Sequence, residues 1–125
     1  MTLLRDCWMP KAGLGRDVAL WVTQNGYATR GGAGEDREAA DLTATLDALA
    51  RYSGTLGITD YRYFDLRDNR STRPDLFDAV GLLFDDYREK AAFAAFRGAV
   101  AAHGAAAPPA PAAGRPAPRR CVRCG

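Results

Sequence analysis

Two short apolar runs, separated by a long segment with the period of a helix, set the framework of this chain. Val18 to Thr23 is an unbroken apolar run bounded by turn residues, the pattern of a strand covered on both faces. It leads into Gln24-Asn25-Gly26, and Asn-Gly after such a run is ordinarily a hairpin signal. No second strand follows directly; a glycine-rich loop comes next, and then a helix from Glu35 to about Tyr52. Leu42, Leu46 and Leu49 fall at i, i+4 and i+7 on one stripe of that helix, with Asp41, Asp47 and Arg51 off it. Glu35, Asp36 and Glu38 put negative charge on its first turn, where the helix dipole favours it. Gly54 and Gly57 are expected to end the helix. Residues 58–66, ITDYRYFDL, are rich in β-branched and aromatic side chains and read as a second strand.

A polar loop, RDNRSTRPD, separates that strand from the apolar segment LFDAVGLLF. A last helix is expected from about Glu89 to Ala102, with Phe93, Phe96 and Val100 along one side. Residues 1–15 read as the end of a helix or a loop, with MPKAGLG as a Pro/Gly-punctuated connection. The foldable unit is therefore residues 1–104, followed by an Ala/Pro/Arg-rich tail, 105–125, with nothing to bury and no expected order. The alternation of strand and helix is that of a parallel α/β protein. In a parallel strand–helix–strand unit, the residues just past the strand's C-terminal end form the rim where ligands bind. Gln24 lies on such a rim, which disposes of the hairpin. A pair of parallel strands is marginal by itself, so the chain reads as part of something larger. Leu20, Val22 and Tyr61 should be incompletely covered, and self-association through uncovered strand faces is expected.

Composition narrows the partners. The 125 residues are 47% hydrophobic and 26% charged, as in an ordinary soluble domain. Residues 101–125 carry four arginines and no acid, so the first 100 residues hold 13 basic and 15 acidic side chains. That body offers no electrostatic reason to bind nucleic acid. There is no apolar stretch of membrane-spanning length and no secretory signal, which makes a cytoplasmic location the expectation. Cys7, Cys121 and Cys124 are too few for a disulfide framework. Cys121-Val-Arg-Cys124 has the spacing of a redox pair or half a zinc site, with Cys7 and His103 as the remaining ligands on offer. Its place in RPAPRRCVRCG favours an unstructured pair of thiols, so no metal and no cofactor are expected.

The segments LWVTQNGYATRGG, DLTATLDALARYSGTLGITDYRYFDLRDNRS and DLFDAVGLLFDDYREKAAFAAFR, in that order, resemble the C-terminal quarter of retaining (β/α)8-barrel glycoside hydrolases, the group related to cellulases and β-glucosidases. In that group the seventh strand commonly ends in T-E-N-G-Y, the eighth carries an aromatic-rich run similar to DYRYFDLRD, and a stretch of the form GLL-x-x-D…K-P-A-F closes the chain. The resemblance spans residues of about 8 to 100 and implies a partial TIM barrel: the last two strand–helix units, parallel strands with flanking helices. The first six units have no counterpart here, so a truncated, inactive portion is the expectation.

The family's nucleophile is the Glu of T-E-N-G, and that position is Gln24. Retaining enzymes place two carboxyl groups roughly 5 Å apart, one to attack the anomeric carbon and one to donate a proton. An amide has the shape of a carboxylate but no charge and a delocalised nitrogen lone pair, so it is a very poor nucleophile. The resembled acid/base would follow the fourth strand. Tyr63 stands where the family often has a tryptophan that stacks on the sugar, with strand packing as the equal alternative. Asn25 and Tyr27 are candidates for sugar hydroxyls, though Asn25 suits a loop as well. Asp65, Arg67, Asp68 and Arg70 read as a solvated loop, and Ala91 departs harmlessly from the proline of K-P-A-F. Two further classes remain: a non-catalytic module that binds a β-glycoside or a partner, and, behind it, a small zinc or redox protein using the C-x-x-C tail.

Overall fold

The computed structural model describes residues 1–29, 34–73 and 75–104. A π-helical turn, Leu4–Trp8, runs into the short helix α1 (Met9–Lys11) and is followed by strand β1 (Leu20–Asn25). Helix α2 (Gly34–Leu56), strand β2 (Ile58–Tyr63), a 3-10 turn (Leu76–Ala79) and helix α3 (Ala91–His103) complete the order. The two strands pair in parallel. The protein is thus α/β, as the alternating pattern implies. Among the described residues no helix is long and apolar enough to cross a membrane.

Element ends differ from the sequence reading for physical reasons. Helix α2 continues through Gly54 and stops at Gly57, whose φ of 66° lies in the left-handed region open to glycine. One glycine inside a long helix costs only about 1 kcal/mol, which neighbouring packing outweighs. β1 starts at Leu20 rather than Val18 because the Val18 carbonyl is taken by Arg5, whose Nη1 donates to it at 2.7 Å. β2 stops at Tyr63 because the main chain then turns to a different partner: Asp65 N–H donates to the Val80 carbonyl and Leu82 N–H donates back to Asp65. The Phe64–Asp65 peptide bond is cis.

Among the described residues, helices cover one face of the sheet. Val22 pairs with Tyr61, and Tyr61 and Tyr63 lie against the helices, in a core centred on Leu42 of α2, Leu82 and Ala92 of α3. Leu46, Phe93 and Phe96 pack on that centre, with the Tyr63 and Phe96 ring centroids 6.3 Å apart. Val100, expected on the same stripe, is half exposed. The opposite face presents Trp21 with the Arg62 guanidinium 5.4 Å above its ring, and Arg62 pairs with Asp60 at 2.9 Å. Trp21 is 61% exposed, so this face has no cover among the described residues. Cys7 is buried, and the C-x-x-C tail lies outside the described residues.

Candidate functional site

The strand ends at the C-terminal edge are where parallel α/β proteins place their chemistry. β1 reaches this edge through an irregularity. Val22 pairs with Tyr61 and Asn25 with Tyr63, so three steps along β1 match two along β2. One extra residue in a strand reverses the alternation of side chains beyond it. Thr23 and Gln24 are consequently both exposed, and Asn25 returns to the face that Val22 occupies. Gly26 then passes so close to β2 that a Cβ there would overlap the Phe64 carbonyl oxygen. A residue without a side chain is required, which is the role of the glycine in the Asn-Gly pair.

The sequence-derived candidates separate into two groups. Gln24 stands exposed at the edge. Asn25, Tyr27 and Tyr63 are turned into the layer between sheet and helices, and each is engaged there. Asn25 Oδ1 accepts from the Tyr61 hydroxyl at 2.7 Å, and the Tyr27 and Thr45 hydroxyls share a hydrogen bond of 2.7 Å. The Tyr63 hydroxyl donates to Glu38 Oε1 at 2.7 Å and accepts from the Tyr27 backbone N–H at 3.2 Å. Burial pushes the Tyr61 phenol up to about 12. Burial and the bond to Glu38 push Tyr63 further still. The Tyr63 ring is therefore a core ring packed beside Phe96.

Beneath the rim lies a cluster of charge that the sequence reading did not anticipate. Lys90, just ahead of α3, is 2% exposed. Its Nζ donates to Asp68 Oδ1 at 2.7 Å and to the Thr29 hydroxyl at 3.0 Å, and lies 3.9 Å from Glu38 Oε2. Asp68 also accepts from the Gly81 N–H at 2.7 Å, and its second oxygen lies 2.9 Å from the Ser71 hydroxyl. Gly81 allows this approach, since a Cβ there would overlap the Asp68 amide. Read as part of a solvated loop, Asp68 is in fact 1% exposed, whereas Asp65 and Arg70 do lie in the exposed loop. One signal for Glu38 was available: it precedes Leu42 by four residues and so falls on the apolar stripe of α2. For Asp68 and Lys90 no local pattern marks the burial.

The cluster joins both rim loops to both helices. Thr29 belongs to the loop after β1, Asp68 to the loop after β2, Glu38 to α2, and Lys90 to the entry of α3. Lys90, Asp68 and Glu38 are all buried, and their contacts tie these elements together. Among the described residues no group of three or more potential ligands is placed to hold a metal ion. An open groove of about 560 Å³ runs along the flank of α2 away from α3, beside Tyr27, Arg37, Asp41 and Tyr52. It does not include Gln24. Compared with known proteins, the chain matches no family model, no curated protein and no solved structure.

Proposed function

We propose that this chain is a glycoside hydrolase-like module, corresponding to the last two strand–helix units of a (β/α)8 barrel, that does not hydrolyse glycosides in its present form. The observation that carries the reading is the exposed Gln24 at the C-terminal end of β1, in a parallel strand–helix–strand unit with one uncovered sheet face. Retaining hydrolysis needs a carboxylate at such a position and a second carboxyl group roughly 5 Å away. Glutamine keeps the shape and supplies hydrogen bonds to a sugar hydroxyl, but it cannot attack an anomeric carbon. The substrate class of the barrel is a β-linked glycoside.

The experiment is a restoration. A separate polypeptide carrying the first six strand–helix units of a barrel of this class is mixed with the chain bearing Gln24→Glu, and release of nitrophenol from aryl β-glycosides is followed. Turnover with the Gln24→Glu chain and none with the native glutamine supports the assignment. Complex formation without turnover in either form overturns it.

A second reading, a non-catalytic module that docks a partner, is favoured by one feature. Asn25, Tyr27 and Tyr63 are all engaged inside the molecule, while the uncovered face presents Trp21, Asp60 and Arg62. Titration of the chain with β-linked oligosaccharides, followed by amide chemical shifts, separates the two. Shifts centred on Gln24 belong to the first reading, and indifference to sugars belongs to the second.

A further inference from the structure

The buried cluster contains two carboxyl groups and one ammonium group. Asp68 is fully served: Lys90, the Gly81 amide and Ser71 all address it. Glu38 is not. Its Oε1 accepts from the Tyr63 hydroxyl, but its Oε2, in a residue 1% exposed, has no hydrogen-bond partner among the described residues and sits 3.9 Å from a Lys90 that also addresses Asp68 and Thr29. With both acids ionised the cluster carries a net negative charge on buried side chains. With one proton bound it is neutral. An unpartnered neutral hydroxyl costs far less in such a place than an unpartnered charge.

We propose that the Glu38–Asp68–Lys90 cluster is a pH-sensitive latch, which fastens the two rim loops to α2 and α3 while Glu38 carries a proton and slackens when Glu38 ionises. The groups that face Glu38 are Tyr63 from β2, Lys90 from the entry of α3, Asp68 from the loop after β2 and Glu35 from its own helix. Burial pushes the Glu38 carboxyl up to about 7, and neighbouring Asp68 and Glu35 add to the rise; the Tyr63 hydrogen bond and the Lys90 charge oppose it without cancelling it. The direction of the effect follows from linkage. A group whose folded pKa exceeds its unfolded one stabilises the fold fully at pH values below the unfolded pKa, and that contribution is lost as pH rises through the folded value. The window for Glu38 thus runs from about 4.5 to about 7.

The test uses the intact chain, with His103→Asn introduced throughout so that its one imidazole adds no signal. The Glu38 carboxyl carbon is titrated by NMR, and urea unfolding is measured from pH 5.5 to 8 for this protein and for its Glu38→Gln form. A carboxyl midpoint above 6 is expected, with the unfolding equilibrium constant rising about tenfold or more across the range, as expected for one strongly raised carboxyl. The Tyr27 and Gly81 amides should exchange faster, beyond the intrinsic base-catalysed increase, as the latch opens. Glu38→Gln should flatten the pH dependence. A Glu38 midpoint below 5 overturns the proposal, and so does a Glu38→Gln form with the same slope as its parent. Should Glu38→Gln fail to fold, the carboxyl midpoint and the two amides decide the matter alone.

Discussion

Replacing Arg5 tests how the N-terminal segment closes the lower end of the sheet. Arg5 is 2% exposed and makes no ion pair among the described residues. Its guanidinium instead donates to three carbonyls, Leu56 at 2.7 Å, Val18 at 2.7 Å and Gly57 at 3.2 Å. These lie where α2 ends, where β2 is about to begin and just ahead of β1, and the carbonyls at a helix C-terminus carry partial negative charge. A hydrogen bond to a charged group is worth about 1.5–3 kcal/mol, and bonds that share one group do not add fully. Arg5→Ala should therefore cost about 3–5 kcal/mol, much of the 5–15 kcal/mol typical of a whole domain. Arg5→Lys keeps the charge and loses the fork, so it should recover about half of that. Urea unfolding followed by far-ultraviolet circular dichroism, with the slope unchanged, reads these values directly. Gly57 supplies a cross-check: a Cβ there would lie 2.5 Å from Arg5 Nη2, on a backbone with φ of 66°. Gly57→Ala should be severe in the native background and cost only about 1 kcal/mol once Arg5 is alanine, since the clash is then gone. A loss below about 1 kcal/mol for Arg5→Ala, or full additivity of the two substitutions, refutes the reasoning.

Three other substitutions probe the rim and the latch. Gly26→Ala forces β1 away from the Phe64 carbonyl and should cost at least about 2 kcal/mol in thermal or urea unfolding, with broadened amide signals from both strand ends. Tyr63→Phe removes the hydrogen bond that favours ionised Glu38, so the Glu38 carboxyl midpoint should move upward in an NMR titration. Lys90→Met leaves Asp68 buried without its cation and should cost about 3–5 kcal/mol in urea unfolding, more at pH 8 than at pH 6 because Glu38 is then charged as well.

The strands and helices were legible because each shows its period locally. Leu42 and Leu46 of α2 mark one helical face, and residues 58–63 carry the β-branched and aromatic character of a strand. The ends were less legible. Gly54 looks like a terminator, but only a tertiary contact decides whether the helix continues past it. The bulge in β1 leaves no sequence signature either, because it exists only as a mismatch between two strands. Read with plain alternation, VTQN puts Gln24 on the face of Val22, and the extra residue turns it outward.

Three of the residues read for ligand contact are engaged inside the fold, and one acid read as solvated, Asp68, is buried, for one physical reason. Asn25, Tyr27 and Tyr63 have polar tips on a rim, and a polar tip at the edge of a sheet is as useful to the fold as to a ligand. Each of the three finds an internal partner within 2.7 Å. Asp68 and Lys90 carry full charges, and charge in isolation belongs in water. Once opposed at 2.7 Å and supplied with Gly81, Ser71 and Thr29 they become tolerable in the interior, and burial makes the geometry strict. The exception among the buried charges is Glu38, whose second oxygen has no hydrogen-bond partner among the described residues. A charged residue on an apolar helical stripe, four positions from a fully buried leucine, is thus the sequence feature with most to say about how this fold responds to pH.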